Sequence, residues 1–416
     1  MKPKWLSRIV SVLTLSALSG AAHEEGSTGP QVVIDWNNQV FTACASETVP
    51  LPQQRCSRAL SMVHLAQHDA VNSVEPHYRR YAYHGRVNHA ASPVAAAAYA
   101  AHDVLVDRFP SQAATFDALL ATSISGITMK QLDRGKVIGQ AAAHAIIALR
   151  ANDGFDAVVT YTPSGLVGRY ALTPGITVVT AREVELVTPF ALDSKDQFRS
   201  PGPYALDSAE YAADLNEVKA IGSLTSALRT ADQTSAANFW FEATPIGWNR
   251  IARTVIADSS IDLYQTARVF ALLNVALQDS WIAGWDTKFH FDFWRPITAI
   301  QQADLDGNPD TELDASWAPL RPTPGVPEYI STHSALGEAA AVVLTETLGP
   351  SAFTMTSTTA LPAGSTRSFT DFYSASFENT QSRVWVGVHF RKACEDGRAM
   401  GHEIGEIVAD LLPRRN

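Results

Sequence analysis

Lys288, Arg295, Arg383, His333 and His389 are the side chains best suited to chemistry, and they fall in three short patches. The first is Lys288, six residues, then Arg295-Pro296. The second is Ser331-Thr332-His333, and the third is Ser382-Arg383, five residues, then His389. Three cations, a hydroxyl, a helix start and two imidazoles suit one task. They can hold a compact tetrahedral oxyanion while one histidine bonds its centre and the other moves protons. Lys288 and Arg295 are seven positions apart, two helical turns, so one helix would present both on one face until Pro296 limits it. Phe291, Phe293 and Trp294 predict a partly buried Arg295 that needs a partner. Ser331 ends the extended run Pro327-Glu328-Tyr329-Ile330 and starts a helix whose free N–H groups attract anions. His333, in that first turn, would stand beside the anion as general acid or base. Gly387 permits a turn or close approach before His389. Taken singly, each patch also reads as structure: a solvated helix end, a serine cap with a surface histidine, a core histidine beside an arginine. Their joint occurrence favours the site.

Helices must position these residues. Apolar residues recur at helical spacing over Ser57 to Ser73, Pro93 to Phe109 and Met129 to Ala151, the last stopped by Asn152-Asp153-Gly154. Ser208 to Leu228, Asn249 to Asp286 (broken near Ser259-Ser260), Thr332 to Leu348 and Thr380 to Leu412 read the same way. Ile176 to Val187, with Thr177, Val178, Val179 and Thr180, is the one candidate for a short β-hairpin. The expected fold is all-α, two stacked helical bundles with at most that hairpin. The bundles divide into an N-terminal helical region, 23–200, and a C-terminal region carrying the chemistry, 201–416, with the Pro189 to Pro203 connector as the boundary.

Composition bounds the rest. The chain has 416 residues, 46% hydrophobic and 18% charged, which is ordinary for a globular protein. A net charge of −10 and the lack of any long basic run argue against nucleic-acid binding. Residues 1–22 read as a secretory signal: Lys2, Lys4 and Arg8, then apolar Ile9 to Leu18, then small Ser19-Gly20-Ala21-Ala22. The apolar run is too short for a membrane anchor, so an exported protein is expected. Cys44 and Cys56 could pair after export or stand as separate buried thiols; Cys394 is left over.

The three patches resemble the signature of the vanadium-dependent haloperoxidases and the type 2 phosphatidic acid phosphatases: Lys-x6-Arg-Pro, Pro-Ser-Gly-His, and Ser-Arg-x5-His-x3-Asp. Arg58 to Tyr81, Thr188 to Ser208 and Arg268 to Ile300 resemble the exported bacterial branch of the haloperoxidases. The resemblance implies vanadate as cofactor, with His389 as its apical ligand, or as the phosphorylated nucleophile in a phosphatase. It implies that Lys288, Arg295 and Arg383 neutralise the equatorial oxygens, that Ser331 and the Thr332 N–H hydrogen-bond them, and that His333 is the acid–base residue. Lys288 would also polarise bound peroxide. The chain departs from the signature at Ile330 for Pro, Thr332 for Gly and Ala393 for Asp. Asp396, seven residues after His389, is the expected substitute for the missing carboxylate. Val326, five before Ser331, replaces a family residue that is often aromatic or His and leaves room for a larger or organic substrate.

The resulting expectation is a peroxidase that takes hydrogen peroxide and a halide or small organic substrate. An acid phosphatase working through a phosphohistidine is the alternative, and a non-catalytic oxyanion-binding protein is a third. Large helical faces allow a homodimer. Other motifs carry less. His64 and His68 are four apart on a helix but lack the intervening Glu and third ligand of a zinc site. Asp304 to Asp310 imitates the start of a calcium loop, yet its glycine is misplaced and position twelve is Ala315.

Overall fold

The computed structural model describes residues 29–47, 52–357, 362 and 364–415; the expected signal, residues 1–22, lies outside them. The helices are α1 (Gln31–Ser46), α2 (Gln53–Val71), α3 (Pro93–Arg108), α4 (Ala113–Ser123), α5 (Met129–Leu149), α6 (Ala209–Ile221), α7 (Ala231–Phe239) and α8 (Thr244–Ala257). They continue as α9 (Leu263–Phe291), α10 (Pro296–Gln301), α11 (Thr332–Leu348), α12 (Phe372–Trp385) and α13 (Arg391–Ala409). Among the described residues a single antiparallel strand pair, β1 (Phe353–Thr356) with β2 (Thr366–Phe369), sets Phe353 opposite Phe369.

The all-helical expectation therefore holds, with the hairpin elsewhere. Ile176 to Val187 finds no partner strand; Arg182–Leu186 forms a 3-10 turn, and the Thr180 N–H bonds the carbonyl of Gly325. The predicted Thr380 to Leu412 helix is two helices, because Gly387 adopts φ +83°. A Cβ there would stand 2.4 Å from the Gly222 carbonyl oxygen, so only glycine fits the turn that delivers His389. Helices α8 and α9 separate around Ser259-Ser260 as their sequence predicts. The sequence reading misses α1, α4, α7 and α10; α4, α7 and α10 are short, at 11, 9 and 6 residues, whereas α1 runs for 16.

Helix α9 is the central element. Asp262 caps it by accepting from the Gln265 N–H at 2.8 Å. Its residues are buried almost all round, as a helix enclosed on every side must be. It packs on α2 from one side and on α11 and α13 from the other. Small residues let α11 and α13 touch backbone to backbone: a Cβ on Gly397 or Gly401 would meet the carbonyls of Ser331 at 2.4 Å and Ala335 at 2.1 Å. Cys44 and Cys56 are disulfide-bonded, tying α1 to the first turn of α2, and Cys394 is buried. No helix of the described residues is long and apolar enough to cross a membrane.

Candidate active site

The ends of four helices meet around one cavity of about 260 Å³, whose lining includes Arg295, His333, Thr332, Arg383, His389 and Val326. Arg295 does not share a helix with Lys288. Helix α9 stops at Asp292, which takes the left-handed conformation (φ 50°), and Arg295 lies beyond it as the N-cap of α10. Ser331 caps α11: its Oγ accepts from the Ser334 N–H at 3.4 Å and the Ser334 hydroxyl at 2.9 Å. Thr332 and His333 then occupy the first turn, where N–H groups lack intrahelical partners. Arg383 comes from the last turn of α12, and His389 from the Gly387 turn before α13.

The imidazole of His389 has a defined tautomer. Arg295 Nη1 lies 3.1 Å from His389 Nε2, and a guanidinium can only donate, so Nε2 carries the lone pair. The ring proton is then on Nδ1, which donates to Glu328 Oε1 at 2.9 Å. Glu328 Oε1 also accepts the Phe390 N–H at 3.0 Å, fixing the base of the ring. This is the orienting carboxylate that reading along the sequence misses. Asp396 is not the substitute for the absent Asp: it accepts the Tyr329 hydroxyl at 2.5 Å and pairs with Lys392 at 2.8 Å. Position 393 faces the core as a buried alanine, and its carbonyl accepts the Ser331 N–H at 2.9 Å. The one hint of Glu328 is an acidic residue inside the apolar run Gly325 to Ile330.

Lys288 is the second correction. Its ammonium donates to the carbonyls of Pro327, Glu328 and Ile330 at 3.0, 2.9 and 2.5 Å. An ammonium has three N–H bonds, and these use all of them. Lys288 is therefore committed to holding the segment that carries Glu328, and it is not among the residues lining the cavity. Burial, with Arg295 nearby, holds its pKa well below the ordinary lysine value.

The two arginines differ. Arg295 Nε donates to the Val326 carbonyl and Nη1 to the Val388 carbonyl, each at 2.8 Å. Arg383 makes one long bond, to the Trp240 carbonyl at 3.4 Å, and its buried Nε has no partner among the described residues. Burial lowers both guanidinium pKa values to about 10, so both stay charged near neutral pH. A buried cation with an unspent donor asks for an anion. His333 Nε2 approaches the Glu242 carbonyl at 3.1 Å, which accepts only, so the ring proton is on Nε2 and Nδ1 is left as the basic atom. Burial, then the charge of Arg383, depresses the His333 pKa well below the usual histidine value. His389 is depressed in the same way, by burial and Arg295 first. Burial pushes the Glu328 carboxyl up to about 7 against the pull of Arg295 and Lys288. The arrangement can bind a small oxyanion, offer a nitrogen lone pair to its centre and accept a proton beside it.

Among the other lining residues that sequence reasoning misses are Gln53 and Gln54 of α2 and Trp281 and Trp285 of α9. The remaining motifs are structural in place. His64 Nε2 meets the Asn37 amide at 2.8 Å, and His68 Nε2 meets the Arg79 carbonyl at 2.9 Å. Asp306 and Asn308 tie their own loop to the start of α6.

Known proteins resemble the chain in sequence and in fold. Residues 268–415, which carry all three patches, match the second helical-bundle domain of the vanadium chloroperoxidases (VCPO). The vanadium chloroperoxidase of Curvularia inaequalis is 30% identical over 162 residues, 32% of this chain; the chain spans only 26% of that relative's length. The crystal structure of the first bacterial vanadium-dependent iodoperoxidase superposes with a TM-score of 0.82 at 25% identity, covering 93% of this chain and 98% of the other. An apo-type bacterial vanadium-dependent chloroperoxidase shares the fold at a TM-score of 0.72 and 18% identity, over 90% and 97% of the two chains. With the helical architecture, the three patches on one cavity and these likenesses together, the chain belongs to the vanadium haloperoxidase family.

Proposed function

We propose that the protein is a vanadate-dependent peroxidase that uses hydrogen peroxide to oxidise a halide to hypohalous acid. One observation carries this reading: His389, its Nε2 lone pair fixed by Glu328 at Nδ1, lines a cavity together with Arg295 and with Arg383, whose buried Nε has no partner among the described residues. The donor set fits vanadate. Arg383 Nε is an orphaned buried donor, and the site supplies two fixed positive charges with no buried carboxylate on its lining. When bound, vanadate supplies a Lewis-acid centre that activates hydrogen peroxide toward a nucleophile.

In this reading His389 Nε2 and Arg295 would hold the vanadate, the imidazole by its lone pair and the guanidinium by its charge and N–H groups. Arg383 would neutralise the oxygens and the Thr332 N–H would add a hydrogen bond, while Ser331, like Lys288 not among the lining residues, holds the helix start. His333 Nδ1 takes the proton that peroxide releases, because burial and Arg383 keep the ring neutral. Lys288 acts through the segment it holds and not on the oxygens. The disulfide between Cys44 and Cys56 supports the companion proposal that the protein is exported, since such bonds persist in oxidising compartments.

The test is to load the purified protein with orthovanadate. Peroxide-dependent halogenation of a phenol-type dye, abolished in His389→Ala, is the expected result. Phosphate release from a monoester, with vanadate as inhibitor and no halogenation, would replace the reading by a phosphatase working through His389. Tight anion binding without either activity would leave a binding protein.

A further inference from the structure

We propose that the same cavity holds a second subsite, built by Trp281, Trp285 and Gln54, that binds the ring of a neutral phenol-type compound. This rests on the peroxidase reading and supplies its organic acceptor. The cavity lining carries two kinds of chemistry. Arg295 and Arg383 bring positive charge beside His333 and His389. The remaining lining is mostly aromatic, prolyl, aliphatic and amide, with no further cation. Water's share of liquid volume is about 30 Å³, so a cavity of about 260 Å³ leaves room beyond a five-atom oxyanion.

Trp281 and Trp285 lie one turn apart on α9, with ring centroids 4.9 Å apart and planes at 82°. Both line the cavity, and both indole N–H groups are buried without a partner among the described residues. Edge-to-face indoles present a surface that favours another aromatic ring. Gln54, in the first turn of α2, is 5% exposed, and its buried Oε1 also lacks a partner. An orphaned buried acceptor carries a desolvation cost that a hydroxyl donor relieves. A phenol answers both needs: its ring meets the indoles and its O–H donates to Gln54 Oε1. A halide could accept from an indole, but it brings no proton for Gln54. Val326, a small aliphatic lining residue, leaves the ring space. Gln53 also lines an adjoining groove of about 360 Å³ with Phe41, Pro245, Ile246 and the disulfide, an apolar approach to the same wall.

The experiment measures phenol and anisole binding to vanadate-free protein by ligand-observed NMR and by tryptophan fluorescence. Expected is phenol binding that perturbs the tryptophans, weakened about tenfold in Gln54→Leu, with the weaker anisole binding unchanged and orthophosphate affinity retained. Binding should persist in His389→Ala, which destroys the oxyanion function. Phenol binding in a protein with no peroxidase activity would therefore sink the function while leaving the subsite. Equal phenol affinity in the wild type and Gln54→Leu would overturn the proposal, as would tryptophan perturbation by iodide and not by phenol. Wild-type circular dichroism and phosphate affinity in Gln54→Leu establish that the variant is folded.

Discussion

Lys288 and Arg383 are both buried cations, yet their N–H groups do opposite things. Lys288 spends all three on carbonyls of one segment. Arg383 keeps its Nε unpartnered. Lys288→Met should orphan three buried acceptors and lower stability by roughly 1–3 kcal/mol. Arg383→Met removes a desolvated charge that the fold does not satisfy, so stability should hold or rise slightly while orthovanadate affinity falls at least tenfold. Urea unfolding with isothermal titration separates the two; equal destabilisation by both would refute the distinction. Glu328 is argued from the same geometry. Glu328→Gln keeps an oxygen for the Phe390 N–H but weakens the hold on His389 Nδ1, so vanadate affinity or turnover should fall about 10–100-fold with little change in melting temperature. The types and spacing of the site residues were legible in the sequence. The partner of His389 was not, because it comes from 61 positions earlier and not from its own helix.

Helix packing explains how Thr332 stands where the family signature has glycine. The Thr332 side chain is accommodated by Gly284 on α9, where a Cβ would lie 2.4 Å from Thr332 Cγ2. The crowding expected from threonine is thus absorbed by a missing side chain across the interface. Gly284→Ala should press the first turn of α11 away and cost about 1–3 kcal/mol, the usual range for overpacking. Adding Thr332→Gly should recover most of that loss, giving a coupling well above 0.5 kcal/mol in a double-mutant cycle. Additive effects would show that the two residues do not share the contact. Helix existence was readable from periodicity because α2, α9 and α11 bury apolar residues over many turns. The break between α12 and α13 was not, because the pattern continues through it. What stops the helix is the tertiary approach of Gly222 to Gly387. The β-branched run at Thr177 to Thr180 likewise had the composition of a strand but no neighbour to pair with.

Over the whole molecule, the N-terminal helices are joined to the site-bearing helices by a buried polar core as well as by apolar packing. Asn37 on α1 bonds His64 on α2 and Asn249 on α8, each at 2.8 Å, and Asn249 bonds Asn274 on α9 at 2.9 Å. His64 stacks on Phe270, accepts from the Asn37 amide, and feels Arg253 as its nearby charge. Burial chiefly, with Arg253 adding to it, lowers the His64 pKa to about 3. The sign follows from linkage. The unfolded chain protonates this ring near 6.5, but the folded chain does not until about 3, so stability is full above 6.5 and is lost as pH falls between them. The loss approaches roughly 1.4 kcal/mol per pH unit once the unfolded ring is charged. Buried Asp279, raised to about 6, works in the opposite direction over the same range, and it is present in both the wild type and a His64 variant. The difference between the two proteins therefore isolates the histidine. His64→Gln should be less stable than the wild type at pH 7, and the gap should shrink by about 1.4 kcal/mol per unit between pH 5.5 and 4. Urea titrations at half-unit steps read this directly. A gap that stays constant with pH would mean that the ring is charged in the folded state and that this core is held by a cation and not by neutral hydrogen bonds.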